Sequence, residues 1–140
     1  MLQNQHTLSQ AAEKIAGKPR AVQEKYFQLI EFLVHHIHHI PTKELIAISL
    51  LLKSKKNLEC CVLAVQTLIS ILKFDNIFKD VFREVGMVEV LVCLMSLYID
   101  YLGAGDLEST QSEYQPSMVP LGEMVIIALT ELLSGINTDL

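Results

Sequence analysis

Apolar side chains recur with the helical period along most of this chain, and the breaks between the periodic stretches fall at glycine, proline and small polar residues. Thr7 and Gln10 stand in capping-box spacing, and Gly17 followed by Pro19 is a stop, so a short first helix of about Ser9 to Ala16 is predicted. From Arg20 onward, Val22, Tyr26, Leu29, Ile30, Leu33, Val34 and Ile37 recur at helical spacing, which predicts one apolar face on a long second helix. Pro41 ends that helix, because the residue before a proline is pushed out of the α region. Thr42 is the expected cap of a third helix that runs through LIAISLLL to about Lys53, and residues 54 to 57, SKKN, make a polar turn.

The fourth helix places Leu58, Cys61, Val62, Val65, Leu68, Ile69 and Leu72 on one side, while Leu63, Ala64 and Ile71 make the opposite side apolar as well. A helix apolar on two sides must lie between other helices. Asp75 and Asn76 are expected to cap a fifth helix carrying Ile77, Phe78, Val81, Phe82 and Val85; Gly86 then allows a sharp turn through positive φ. A sixth helix, Met87 to about Leu102, is expected to bury Val88, Leu91, Val92, Met95 and Tyr98. The period lapses at residues 103 to 120, GAGDLESTQSEYQPSMVP, a predicted acidic surface loop in which Ser109, Thr110, Ser112 or Ser117 could serve as modification sites or part of a linear motif. It resumes from Leu121 to Ser134, with Gly135 as the stop.

VLAVQTLISI at 62 to 71 aligns without gaps on IIALTELLSG at 126 to 135, pairing Ala64 with Ala128, Leu68 with Leu132 and Ile69 with Leu133. With the loop subtracted from the 64-residue offset, the period is about 46, inside the armadillo and HEAT range. The expected architecture is therefore all-α: an armadillo/HEAT-like α-solenoid segment of about seven helices. Residues 1–57 would be lead-in helices and a first helical pair, 58–102 one armadillo-type unit, 103–120 the loop, and 121–140 the start of the next repeat. The break inside that last repeat predicts a piece of a longer array.

Composition sharpens this picture. The apolar fraction of 51% is high for a chain of 140 residues with its own polar caps, as a solenoid segment would be. The longest uncharged apolar stretch, Cys60 to Leu72, falls short of the roughly 20 residues a membrane span needs, and the N-terminus lacks a secretory signal, so a cytoplasmic chain is expected. Charge is divided: 11 basic and 7 acidic residues lie at or before Arg83, and 9 acidic and no basic ones follow, giving +4 and −9. Dispersed lysines and an acidic second half argue against nucleic acid as a partner. Cys60, Cys61 and Cys93 fall in apolar helical stretches without metal-ligand spacing and are expected to be buried thiols.

Candidate chemistry is sparse. His35 and His39 stand at i and i+4 with Glu31 one turn earlier, a spacing that can hold zinc. No His-Glu-x-x-His arrangement or third ligand accompanies it, so His35, His36, His38 and His39 are read as a surface patch with acid-dependent charge. Lys53, Lys55 and Lys56 form the densest basic group, fewer than stable membrane recruitment requires. Together these seven residues are the candidate interaction surface. The serines lack a nucleophile elbow, no phosphate-binding glycine loop occurs, and Glu84 and Glu89 read as solvated helix ends. The sequence thus predicts no enzyme, no catalytic residue, no metal and no cofactor.

HTLSQAAEKIAGKP, KYFQLIEFLV, IPTKELIAISLLLKS and above all IFKDVFREVGMVEVLV resemble the armadillo-like N-terminal region of the Alfy, or blue cheese, type of BEACH proteins. These are very large proteins with WD repeats and a FYVE domain. The resemblance covers roughly residues 6 to 102 and resumes weakly in the final helix; the histidine cluster and the loop after Gly103 depart from it. It implies a non-catalytic scaffold in selective macroautophagy and endosomal or vesicle traffic, cytoplasmic and peripheral to autophagic or endosomal membranes. Its partners would be other proteins and neighbouring repeats of the same chain. The lipid-binding zinc finger and adaptor contacts of such proteins lie in segments not represented here, so no residue inherits them. The alternative is a self-contained armadillo-type adaptor for cargo or cytoskeletal proteins.

Overall fold

A computed structural model describes residues 10–104 and 116–134, and among these the chain forms seven helices and no strand. They are α1 (residues 10–16), α2 (Arg20–Ile37), α3 (Thr42–Ser54), α4 (Leu58–Phe74), α5 (Ile77–Glu84), α6 (Met87–Ala104) and α7 (Met118–Leu133). Helix α4 is the centre of the core, in contact with α2, α3, α5 and α7. Cys60, Cys61, Ala64, Val65, Leu68, Ile71 and Leu72 are all buried along it, which accounts for the two apolar sides seen in its sequence.

The two neighbours α2 and α7 run parallel to α4. Arg20 of α2 lies 3.8 Å from Glu59, Thr67 donates to Glu31, and the His35 ring reaches Phe74, so contacts advance in the same direction along both helices. At the other flank, Asn57 and Ser117 line one cleft where α4 and α7 begin. Lys79 and Arg83, just beyond the end of α4, donate to the carbonyls of Ser134 and Leu132 at the end of α7. The result is a row α2–α4–α7, with α6 packed against both α3 and α7. The cations of α5 also supply the charge that a helix C-terminus favours and that α7 lacks in its own last turn.

Several boundaries and faces differ from the sequence expectation. The core face of α2 is Gln23, Phe27, Ile30 and Val34, whereas Val22, Leu29 and Ile37 point to solvent. Gln23 is buried because its amide donates to the carbonyls of Ile15, Ala16 and Lys18 at 3.0–3.2 Å, tying the end of α1 to α2. Helix α2 stops at Ile37, before Pro41: His38 takes φ 57° and the His39 N–H returns to the Leu33 carbonyl at 3.1 Å. Thr42 makes no side-chain cap, since it is already helical; the cap that forms is Asn57, whose Oδ1 accepts from Cys60 N at 3.1 Å while Nδ2 donates to Ala16 O.

Helix α5 is opened by the Asp75 carboxylate, which accepts from Ile77 N, and closed at Gly86 with φ 77°. The face of α6 that enters the core is Met87, Val90, Leu91, Leu94 and Tyr98; Val92 and Cys93 are exposed, in contrast to expectation. Helix α7 begins at Met118 rather than Leu121, because Pro120 falls in its first turn, where a missing N–H costs nothing. Gly122 lets it meet α6: a Cβ there would lie within 3.0 Å of the Tyr98 ring. Ser9, Gly135 and most of the expected loop, including Ser109, Thr110 and Ser112, lie outside the described residues.

Candidate interaction surface

The histidines and lysines singled out in the sequence stand at opposite ends of α2. At the C-terminal end, the His36 ring stacks on Phe32 with centroids 4.6 Å apart, and His35 packs on Phe74 at 4.6 Å, with His38 and Phe78 6.4 and 6.5 Å from the same Phe74 ring. Ile37, Ile40, Phe74 and Ile77 are exposed around them. His39 has left the helix and faces Glu44 at 3.3 Å, so the i, i+4 pairing with His35 does not exist in the fold. Among the described residues, no three His, Cys, Asp or Glu side chains converge to hold a metal.

Lys53, Lys55 and Lys56 surround the turn between α3 and α4. Lys56 pairs with Glu13 at 3.3 Å, and Lys55, in a left-handed conformation with φ 53°, donates to the Lys53 carbonyl. Two clefts open here. One, of about 550 Å³, has a mixed lining of Glu13, Lys56, Asn57, Glu59 and Ser117 with Ala16, Leu58 and Pro116. The other, of about 390 Å³, has an apolar wall of Leu52, Val90 and Leu94 with Lys53, Lys55 and Cys93 at its edge. Glu89 lines the second cleft as well, and among the described residues that line the two clefts no nucleophile is hydrogen-bonded to a base.

The buried thiols are held neutral. Burial raises Cys60 to about 11 and Cys61 to about 12, so neither offers a thiolate at neutral pH. Tyr26 is also raised, by burial first and then by the Glu44 carboxylate. These shifts all favour uncharged groups in a packed interior and create no acid–base pair. Every buried side-chain nitrogen and oxygen among the described residues has a partner.

A larger feature escaped the sequence reading: apolar side chains stay exposed on both flanks of the row. On α2 these are Val22, Leu29, Phe32 and Ile37; on α6 and α7 they are Val92, Ile99, Leu102, Ile126, Ile127 and Leu133. The sequence of α2 carries the signal as two apolar stripes, one with Phe27, Ile30 and Val34 and one with Val22, Leu29 and Phe32. No single helix among the described residues is long and apolar enough to cross a membrane.

Part of the chain is similar to known proteins. Over 85 residues, 61% of the chain, it is 36% identical to WD repeat- and FYVE domain-containing protein 4 of Mus musculus, and equally to that of Homo sapiens. Over 77 residues, 55% of the chain, it is 29% identical to Protein SPIRRIG of Arabidopsis thaliana. The matched stretch spans only 3% of each of the first two proteins and 2% of the third. No protein-family model and no solved structure matches the chain. The chain therefore carries partial homology to one short stretch of a WD repeat- and FYVE domain-containing protein of the BEACH class.

Proposed function

We propose that this chain is a non-catalytic, armadillo-like interaction segment of a large BEACH-type scaffold, with its flanking apolar faces covered by neighbouring helical repeats. The observation that carries the reading is the row α2–α4–α7, whose outer members keep large apolar residues exposed on both flanks. Soluble surfaces scatter such residues singly, whereas grouped ones mark a surface that is normally covered. Each repeat of a helical array contacts only its neighbours, so a piece of one is apolar at both ends. The alignment of α4 with α7 adds support: Ala64 and Leu68 of α4 and their counterparts Ala128 and Leu132 are all buried.

By resemblance to its WD repeat- and FYVE domain-containing relatives, the whole protein would work in the cytoplasm in selective macroautophagy and vesicle traffic, holding protein partners near autophagic or endosomal membranes. This segment supplies length and docking surface; lipid contact would come from elsewhere in the protein. Reading the transcript in both directions tests the proposal. In-frame continuation into further helical repeats, WD repeats and a FYVE zinc finger is expected. A transcript that encodes this helical unit with none of those segments refutes it.

A further inference from the structure

The cleft between α3 and α6 lies apart from the faces that neighbouring repeats would cover. Gly86, just before α6, Val90 and Cys93 follow one another at helical steps and line it. The exposed apolar flank of α6, Val92, Ile99 and Leu102, lies around the other side of the helix at 3.6 residues per turn. Leu52 of α3 completes the floor with Val90 and Leu94. At about 390 Å³ the cleft falls within the roughly 300–1,000 Å³ of ligand sites, which likewise combine an apolar lining with a few charged groups. The floor belongs to the packed core, so a ligand need not order it.

The charges at the rim are not balanced. Lys55 stands just past the end of α3, and its ammonium donates to the Lys53 carbonyl at 3.1 Å. Burial raises the Cys61 thiol and the Lys55 ammonium pulls against it, so that charge lies on the inner side of the turn. Neither Lys53 nor Lys55 has an acidic partner among the described residues, whereas Lys56 is paired with Glu13 at 3.3 Å. Glu89, the one carboxylate among the described lining residues, bends back along its own helix. Its Oε2 lies 3.7 Å from where a Cβ of residue 86 would stand, at the positive N-terminal end of α6. Two uncompensated ammonium groups therefore border an apolar floor.

We propose that this cleft binds an acidic peptide segment, one aliphatic side chain seated against Leu52, Val90 and Leu94 and the neighbouring carboxylates held by Lys53 and Lys55. Charge complementarity selects an acidic ligand over a basic one. The three floor residues are each at most 5% exposed, so the trough admits a side chain and its backbone but does not enclose a long acyl chain. That favours a peptide over a fatty carboxylate. The inference gives a chemistry to one protein partner of the proposed scaffold yet stands on the cleft alone; absence of binding would leave the transcript test of that function untouched.

Fluorescence anisotropy with the whole chain at low salt provides the experiment, with circular dichroism confirming that each variant is folded. The probe is a fluorescein-labelled peptide with one leucine flanked on both sides by glutamates. It should bind, and binding should weaken about tenfold when its leucine becomes serine or when the chain carries Lys53→Glu with Lys55→Glu. The charge-reversed chain should instead take up the counterpart peptide with lysines in place of glutamates, a gain that no misfolded variant would show. Cys93→Phe, at an exposed position, should abolish binding by filling the cleft, and bound probe should slow the reaction of the native Cys93 with Ellman's reagent about tenfold. A chain that does not bind the acidic probe would overturn the inference. So would binding indifferent to both the leucine and Cys93→Phe, the signature of diffuse attraction to surface lysines, or protection of Cys93 by octanoate but not by the probe, the signature of a site for a fatty carboxylate.

Discussion

Substituting Gly122 by alanine sets two effects of opposite sign against each other. In an open helix the change would stabilise by about 1 kcal/mol, because glycine loses more backbone freedom than alanine. Here the added Cβ would fall within 3.0 Å of Cγ, Cδ1 and Cδ2 of Tyr98, the body of the ring rather than a movable end. Tyr98 is only 8% exposed, so the ring can move only by prising α6 from α7. Overpacking of this kind costs about 1–3 kcal/mol, and removal of a buried aromatic from its site about 3–5 kcal/mol. A net loss of about 2 kcal/mol is expected. In urea, with a slope of about 1–3 kcal/mol per molar, the midpoint should fall by roughly 1 M at unchanged slope. Tyr98→Ala in the same chain should remove most of the penalty, giving a coupling above about 1 kcal/mol in the double-mutant cycle. A midpoint that rises with Gly122→Ala, by the helix propensity alone, would show that α6 and α7 do not meet at this point.

Gln23→Leu should destabilise by about 2 kcal/mol, because the carbonyls of Ile15, Ala16 and Lys18 lose their donor, and amide exchange should show α1 losing protection first. An Ellman's titration of the native chain should find Cys93 reactive while Cys60 and Cys61 react only on unfolding. Stability measured by denaturation should be insensitive to these two thiols below pH 9.0, their ordinary value, and fall above it. Over that range the unfolded chain ionises while the folded thiols stay protonated until about 11 and about 12, so unfolding releases protons and each thiol removes about 1.4 kcal/mol per pH unit. His38→Gly should raise the unfolding free energy by about 1 kcal/mol, since φ 57° is strained for a residue with a Cβ; a lower thermal midpoint would show that the imidazole contact with Phe74 outweighs it.

The breaks and the helical class were legible because they follow from local chemistry. Gly17 and Pro19 end α1, the Asp75-Asn76 pair opens α5, and Gly86 turns into α6 through positive φ, all effects confined to a few neighbouring residues. Helix ends set by longer reach were missed. His38 closes α2 through a return to Leu33, and Pro120 enters the first turn of α7 although it reads as a breaker, because only an interior proline removes a helical hydrogen bond. The histidine and lysine groups were legible as clusters, yet their separation to opposite ends of α2 depends on where the chain turns back, which composition does not record.

What the sequence determined by itself is the succession of amphipathic helices and the central place of α4, since a helix apolar on two sides has to be enclosed. Which of two apolar stripes on α2 enters the core was decided only by the tertiary structure. Phe27, Ile30 and Val34 enter the core, and Gln23 on their face can be buried with them because its amide donates to the carbonyls of Ile15, Ala16 and Lys18, 5 to 8 residues earlier in the chain. Val22, Leu29 and Phe32 are left outside with Lys25. Hydrophobicity ranks side chains without regard to direction; satisfaction of a buried amide has direction, and only the fold supplies the carbonyls that let this face close.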